Sequence, residues 1–226
     1  MKMNILRNFL IVSALIFAAA GSVRAQGTYS TYYYQRTSLF EVLPVGPEDI
    51  VFVGNSITDG CEWRELFDNQ HVKNRGISGD TTMGVYDRLG AILPGRPAKL
   101  FLMIGINDLS RGIAAQTVVE NTRRILERIR KESPSTRVYL QSLLPVSDAY
   151  GLFAGHTARR GDIPVINEAL RAMAPEFGAT FIDLFSRFVD AETGKMDTAY
   201  SNDGLHLLGR GYLLWRDIVL PYVNEK

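Results

Sequence analysis

The chain has 226 residues, of which 46% are apolar and 22% are charged, and its 25 basic and 24 acidic side chains nearly cancel. This length and composition are typical of one soluble globular domain. The near-neutral charge argues against a nucleic-acid partner, because binding to phosphates requires an excess of Lys and Arg.

Cysteine and histidine usage argues against a metal centre. The single cysteine, Cys61, excludes an internal disulfide and a cysteine-cluster metal site. His71, His156 and His206 are too dispersed along the chain to indicate a metal site. We expect Cys61 to act as a small hydrophobic residue, because no neighbour in the sequence would lower the pKa of its thiol. The chemistry must then come from oxygen and nitrogen groups.

Residues 1–25 have the pattern of an export signal. Lys2 and Arg7 precede an uncharged stretch, residues 8–23, that is too short for a membrane-spanning helix. Val23-Arg24-Ala25 then offers the small or β-branched side chains that a signal peptidase recognises, which predicts cleavage after Ala25. An uncleaved N-terminal anchor is the alternative. Cleavage would remove three basic residues and no acidic one, which leaves 201 residues with 22 basic and 24 acidic side chains. Such a protein would be periplasmic or secreted, with no stable membrane anchor.

A tyrosine-rich stretch, residues 26–48, precedes the main domain, residues 49–226. It contains four of the ten tyrosines, Tyr29, Tyr32, Tyr33 and Tyr34. Tyrosine packs well wherever it is half-buried, so we expect a strap that lies on the domain surface. Stacking against a sugar is the alternative role.

From residue 49 onward, strand and helix patterns alternate. The predicted strands are 49–54, a short one around residue 72, 99–105, 137–144 and 180–184. The predicted helices are 61–67, 82–93, 118–132, 165–177 and 209–223. This alternation predicts an α/β fold with a doubly wound, five-stranded parallel sheet, and such sheets bind ligands at the carboxyl ends of their strands.

Polar residues fall at the predicted binding edge. Ser56, Gly79 and Asn107 follow the first three strands, and Asp203 and His206 precede the last helix. A serine hydroxyl attacks only when a base takes its proton, and His206 is placed to do so. Asp203 could accept from Nδ1 of His206, turn Nε2 toward Ser56 and stabilise the imidazolium. The backbone N–H groups of Ser56 and Gly79 and the Asn107 amide would stabilise the oxyanion.

These groups predict two-step ester hydrolysis through an acyl-enzyme on Ser56, with no metal or organic cofactor. Taken singly, each has a simpler alternative. Ser56 and Thr58 could cap a helix, the glycines could serve turns, Asn107-Asp108 could be a cap, and His206 could be an ordinary surface histidine. Their joint occurrence at successive strand ends favours the catalytic interpretation.

Four blocks resemble those of the SGNH (GDSL-type) hydrolase superfamily. They are Gly54-Asn-Ser56, Gly79, Gly105-Ile-Asn107-Asp108 and Asp203-Gly-Leu-His206. The resemblance implies a flavodoxin-like three-layer α/β/α sandwich with Ser56 as nucleophile, His206 as base, Asp203 as acid, and Gly79 and Asn107 as oxyanion donors. One difference is Asn55, which stands where the family usually has Asp. Because Asn keeps the size and hydrogen-bonding capacity of Asp, we expect the local structure to survive, but without the charge. The α/β-hydrolases are a poorer match, since they use Gly-x-Ser-x-Gly with a distant acid.

The substrate is expected to carry a small acyl group, because about 200 residues leave little chain for a lid or an acyl tunnel. The blocks resemble those of small exported platelet-activating-factor acetylhydrolase-like and carbohydrate acetylesterase groups. We therefore expect an O-acetyl ester of a sialic acid or another glycan. The alternatives are a lysophospholipid or short-chain lipid ester, and a catalytically silent glycan-binding domain.

The loop at residues 145–162 follows a strand end and should flank the site. It contains His156, Arg159 and Arg160. These side chains could contact an anionic substrate, or the segment could be a solvated basic loop.

Overall fold

The computed structural model describes residues 28–225. The predicted leader, residues 1–25, lies outside this range, so cleavage after Ala25 and export stay predictions. Within the described range no helix combines the length and apolar character needed to cross a membrane.

Five strands form one parallel sheet with the order β2-β1-β3-β4-β5. The strands are β1 (Ile50–Gly54), β2 (Val72–Gly76), β3 (Lys99–Met103), β4 (Arg137–Gln141) and β5 (Thr180–Ile182). β1 and β3 are buried along their whole length, as the central strands of a sheet covered on both faces must be. The predicted flavodoxin-like α/β fold with a five-stranded parallel sheet is confirmed.

Helices cover both faces of the sheet. They are α1 (Thr31–Val42), α2 (Ser56–Asp59), α3 (Trp63–Leu66), α4 (Thr82–Arg88), α5 (Ile106–Ser110), α6 (Ala115–Glu132), α7 (Ala154–Thr157), α8 (Asp162–Met173), α9 (Phe185–Phe188) and α10 (Gly209–Asn224). α4, α6 and α8 pack side by side, and α3 and α10 cover the opposite face. α6 buries Ile125, Leu126 and Ile129 along one side, and this spacing of apolar residues is what predicted the helix.

An aromatic layer joins the middle strands to the helices over them. Phe52, Phe101 and Tyr139 are aligned across β1, β3 and β4, with ring centroids 4.6 and 4.5 Å apart. Trp63 of α3 stacks on Phe52 at 4.1 Å, and Trp215 of α10 meets Trp63 edge to face at 4.8 Å. Burying each such ring contributes about 1.5–3 kcal/mol. The strand ends that carry the candidate site therefore rest on a well-packed core.

Two predicted helices end earlier than the sequence pattern suggested. α4 gives way to 3₁₀ turns at Leu89–Ala91 and Leu93–Gly95, and α8 gives way to one at Ala174–Phe177. Pro94 and Pro175 lie in these turns. Proline has no N–H for an α-helical hydrogen bond, so it favours the end of a helix.

The tyrosine-rich stretch contains a helix that the sequence did not predict. α1 buries Tyr33 and Phe40, whereas the large apolar residues Leu39 and Val42 are exposed. Because its apolar residues do not gather on one side, α1 has no visible helical period. It is held to the domain through Tyr33, whose hydroxyl donates to the carbonyl of Gly84 over 2.8 Å.

Candidate active site

Ser56, His206 and Asp203 form a hydrogen-bonded chain. Ser56 is the first residue of α2, directly beyond the end of β1, and its Oγ lies 3.0 Å from Nε2 of His206. Nδ1 of His206 lies 2.8 Å from Oδ2 of Asp203. A carboxylate only accepts, so Nδ1 carries the hydrogen and Nε2 is free to accept from the serine hydroxyl. The fold thus joins three groups that the sequence placed up to 150 residues apart.

Asp203 is fixed by its own turn. Its Oδ1 accepts from the backbone N–H groups of Leu205 and His206, both over 2.8 Å. Burial by itself raises the pKa of Asp203, but these bonds and the one from the His206 ring outweigh it and hold the pKa below its usual range. Asp203 therefore stays anionic and keeps the imidazole oriented.

Asn55 caps the short helix that begins at Ser56. Its Oδ1 accepts from the N–H of Ile57 over 3.0 Å, which is a bond that an aspartate could also make. Its Nδ2 is buried and has no hydrogen-bond partner within residues 28–225. The structure thus keeps the cap and lacks the negative charge beside the nucleophile.

Three hydrogen-bond donors are left unpaired near the strand ends. In the described part of the chain, the backbone N–H groups of Ser56 and Gly79 donate to no protein atom. Gly79 has φ +78°, a left-handed conformation that glycine adopts with little strain. Nδ2 of Asn107 donates one hydrogen to the carbonyl of Asp80 over 2.8 Å and keeps the other free.

The loop that carries Gly79 is held on both sides. Ser78 donates to Oδ2 of Asp59 from its N–H over 3.1 Å and from its hydroxyl over 2.9 Å. The carbonyl of Gly79 accepts from Nη2 of Arg111 over 2.6 Å. Tyr32 of α1 also donates to Asp59 over 2.9 Å, so the unpredicted helix supports this loop. The donors are therefore preorganised before a substrate arrives.

Buried polar contacts secure the residues that follow. The side chains of Asp80 and Arg88 are fully buried and pair over 2.7 Å, and Arg88 also donates to the carbonyl of Gly54 over 3.1 Å. Thr82 donates to Asp108 from its hydroxyl over 2.5 Å and from its N–H over 3.0 Å. These contacts tie α4 to the ends of β1 and β3.

The loop at residues 145–162 lies against the site through His156. Its Nε2 is 2.9 Å from Oδ1 of Asn107. The ring of Phe153 meets the rings of both His156 and His206 edge to face, at 5.7 and 5.2 Å. The sequence placed the loop near the site, but the contact between His156 and Asn107 was not foreseen.

The arginines of this loop have acidic partners. Arg159 Nε donates to Asp162 over 2.6 Å, and Arg160 Nη1 donates to Asp148 over 2.8 Å. Their charges are thus partly balanced, which favours the solvated basic loop over a dedicated anion site. Elsewhere, burial and the nearby Glu62 raise the pKa of the Cys61 thiol to about 12, so Cys61 is not ionised at neutral pH.

A cavity adjoins the loop that carries Gly79, and a small void lies in the core nearby. The polar cavity of about 190 Å³ lies beside Gly79 and is lined by Tyr29, Tyr33, Ser78 and Arg111 among others. An apolar void of about 10 Å³ lies among buried side chains below the strand ends, and its lining includes Asn55, Ile57, Met103, Leu143, Val146 and Leu205 but neither Ser56 nor His206. The first has room for a polar ligand, and the second for about one water-sized group.

Comparisons with known proteins identify the family of the chain. The sequence model of the GDSL-like lipase/acylhydrolase family matches residues 52–214. A Bos taurus protein named platelet-activating factor acetylhydrolase IB subunit alpha1 is 32% identical over 171 residues, which cover 73% of this chain and 70% of that protein.

Solved structures share the fold. One from Streptococcus pneumonia, described as a platelet activating factor, superposes with a TM-score of 0.77 at 27% identity, over 85% of this chain and 92% of that one. An acetyl-xylooligosaccharide esterase from Geobacillus superposes at 0.64 with 18% identity, over 80% and 97%, a likeness of fold alone. The chain belongs to the GDSL-like lipase/acylhydrolase family and is a carboxylic ester hydrolase.

Proposed function

We propose that the protein is a serine esterase that removes acetyl or other short acyl groups from a carbohydrate, through an acyl-enzyme on Ser56. The chain of hydrogen bonds from Ser56 through His206 to Asp203 is the observation that carries the proposal. A nucleophile, a base and a group that orients the base are the parts that acyl transfer to serine requires.

The two steps use the same groups. Oγ of Ser56 attacks the ester carbonyl carbon while Nε2 of His206 takes the hydroxyl proton. The oxyanion that forms accepts hydrogen bonds from the free N–H groups of Ser56, Gly79 and Asn107. Collapse breaks the bond to the alcohol, which leaves with the proton from His206. Water then attacks the acyl-enzyme while His206 takes its proton, and collapse breaks the bond between the acyl carbon and Oγ, which receives the proton from His206 as the free acid departs. Asp203 stabilises the imidazolium in both steps.

Asn107 should act mainly on the transition state. Replacing Asn107 with Ala is expected to lower kcat for p-nitrophenyl acetate by about 10²–10³, with little change in KM. The reason is that the lost N–H donor stabilises a negative charge that develops on the carbonyl oxygen only during attack. Asn224→Ala, at an exposed position near the end of α10, is the matched control. A decrease in kcat of less than about threefold would show that Asn107 is not part of the oxyanion hole.

The acyl group is small on two grounds. The described strands and helices take up most of residues 50–224, which leaves little length for a lid or an acyl tunnel. The names of two similar proteins, an acetylhydrolase and an acetyl-xylooligosaccharide esterase, both specify an acetyl group. Both observations support acetyl as the group transferred.

A polar alcohol suits the other cavity. The 190 Å³ pocket beside Gly79 is lined by the half-buried ring of Tyr29, the hydroxyl of Ser78 and the guanidinium of Arg111, whereas Tyr33 is buried and stacked on Tyr29. An aromatic ring with polar groups around it suits a sugar ring. A short-chain lipid ester or lysophospholipid is the second candidate, because Leu152 and Phe153 are exposed on the loop that packs on His206.

Acyl-chain length and acetate release test these proposals together. We expect kcat/KM for p-nitrophenyl acetate to exceed that for the octanoate by at least about tenfold, because the sheet and its helices leave little chain to form an apolar tunnel for the octanoyl group. Acetate release from O-acetylated sialic acids and xylooligosaccharides should exceed release from acetylated lipids at equal concentration. Preference for octanoate would contradict the small acyl site, and preference for the lipids would favour the second candidate.

A further inference from the structure

We infer that His156 is a positioning residue of the oxyanion hole, where its imidazole holds the Asn107 amide with the free N–H turned toward the substrate. The inference rests on the oxyanion role of Asn107 proposed above. It gives the loop at residues 145–162 a part in catalysis that its sequence did not indicate.

The orientation of the Asn107 amide follows from its two neighbours. The carbonyl of Asp80 can only accept, so the atom that faces it at 2.8 Å is Nδ2. Oδ1 then faces Nε2 of His156 at 2.9 Å and must be the acceptor of that bond. His156 therefore carries its hydrogen on Nε2. A flipped amide would place two acceptors together, Oδ1 of Asn107 and the carbonyl of Asp80.

His156 can donate without adding charge to the site. Burial first, and then the positive charges of His206 and Arg111, lower the pKa of His156. At neutral pH the ring is therefore uncharged, with its hydrogen on Nε2. An uncharged donor does not oppose the imidazolium that forms on His206 during the reaction.

The chain brings His156 to Asn107 through a short helix. His156 lies on α7, which packs on α5, the helix that carries Asn107. Phe153, just before α7, has φ +53°, an uncommon conformation for a bulky residue, and its ring packs on both His156 and His206. Backbone strain of this kind persists only where the surroundings hold it, and here it lies beside the reacting groups.

Loss of His156 should leave the Asn107 amide able to turn about its terminal torsion. The amide would still be present, but it would spend less time aimed at the oxyanion. Substrate binding in the ground state would change little, so the loss should appear in kcat and not in KM.

Three replacements of His156 separate the donor from the bulk of the ring. In Gln the amide nitrogen reaches the position of Nε2, in Asn it reaches only the position of Nδ1, and Leu has no donor. With p-nitrophenyl acetate, His156→Leu and His156→Asn should each lower kcat by about tenfold or more with KM nearly unchanged, and His156→Gln should restore most of the activity. His71→Leu, at an exposed position, is the control and should match the wild type. Thermal melting of each variant shows whether it is folded.

A double-mutant cycle tests whether His156 acts through Asn107. Adding His156→Leu to Asn107→Ala should cause no further loss beyond about twofold, because the amide that His156 holds is already gone. Losses that multiply would overturn the inference, and so would a folded His156→Leu variant with the kcat of the wild type. If Asn107→Ala alone were fully active, the proposed oxyanion hole would fail as well. A low kcat for Asn107→Ala together with a wild-type kcat for His156→Leu would overturn only the role of His156.

Discussion

Replacing Ser56 with Ala should lower kcat for p-nitrophenyl acetate by about 10⁶, a loss of the size that removal of a serine nucleophile causes in other enzymes. Without Oγ there is no atom to form the acyl-enzyme, and only unassisted attack by water on the bound ester remains. The variant should fold normally, because Ser56 is only partly buried and its side chain bonds only to His206 among the described residues.

The matched control is Ser186→Ala, which changes an exposed serine in α9. It should retain wild-type kcat and KM. Activity of Ser56→Ala above about 1% of the wild type, in a preparation free of contaminating esterases, would contradict the assignment of the nucleophile, since the expected residual activity is far lower.

Asp203→Asn should lower kcat by about 10⁴, although it changes neither the size nor the shape of the side chain. An asparagine can turn its NH₂ group toward Nδ1 of His206 and favour the tautomer with the hydrogen on Nε2. That nitrogen could then no longer accept the proton of Ser56. The loss should appear in the first step, as a slower release of p-nitrophenolate measured under single-turnover conditions.

Asp217→Asn, at an exposed position of α10, controls for the change of charge. If kcat of Asp203→Asn stayed within tenfold of the wild-type value, Asp203 would have no catalytic part. Its role would then be to stabilise its own turn by accepting the two backbone N–H bonds.

The sheet was predictable because each of its central strands has a recognisable pattern in the local sequence. β1 and β3 are runs of apolar residues without alternation, which indicates burial on both faces, and each ends in a polar loop. Once the strands are parallel, the carboxyl-end rule places Ser56 and Asn107 on one edge. The site was therefore predictable to the extent that its residues adjoin strand ends or share one turn, as Asp203 and His206 do.

The supports of the site were not predictable in this way. His156 and Asn107 are 49 residues apart and meet through α7, a single helical turn inside a long loop without periodicity. Asp59, which holds Ser78, belongs to α2, another single turn that leaves no sequence pattern. α1 was missed because its apolar residues point to different sides. Such contacts depend on the tertiary path of the chain, and local propensity does not encode them.

The central claim is that Ser56 forms the covalent intermediate, and phosphorylation by diethyl p-nitrophenyl phosphate tests it most directly. Oγ of Ser56 would form a bond to phosphorus, p-nitrophenolate would leave, and the proton would pass to His206. Intact-mass analysis and peptide mapping should find one diethylphosphoryl group per chain, on Ser56, with esterase activity lost in proportion to labelling. A label on another residue, or full activity in protein labelled on Ser56, would contradict the account.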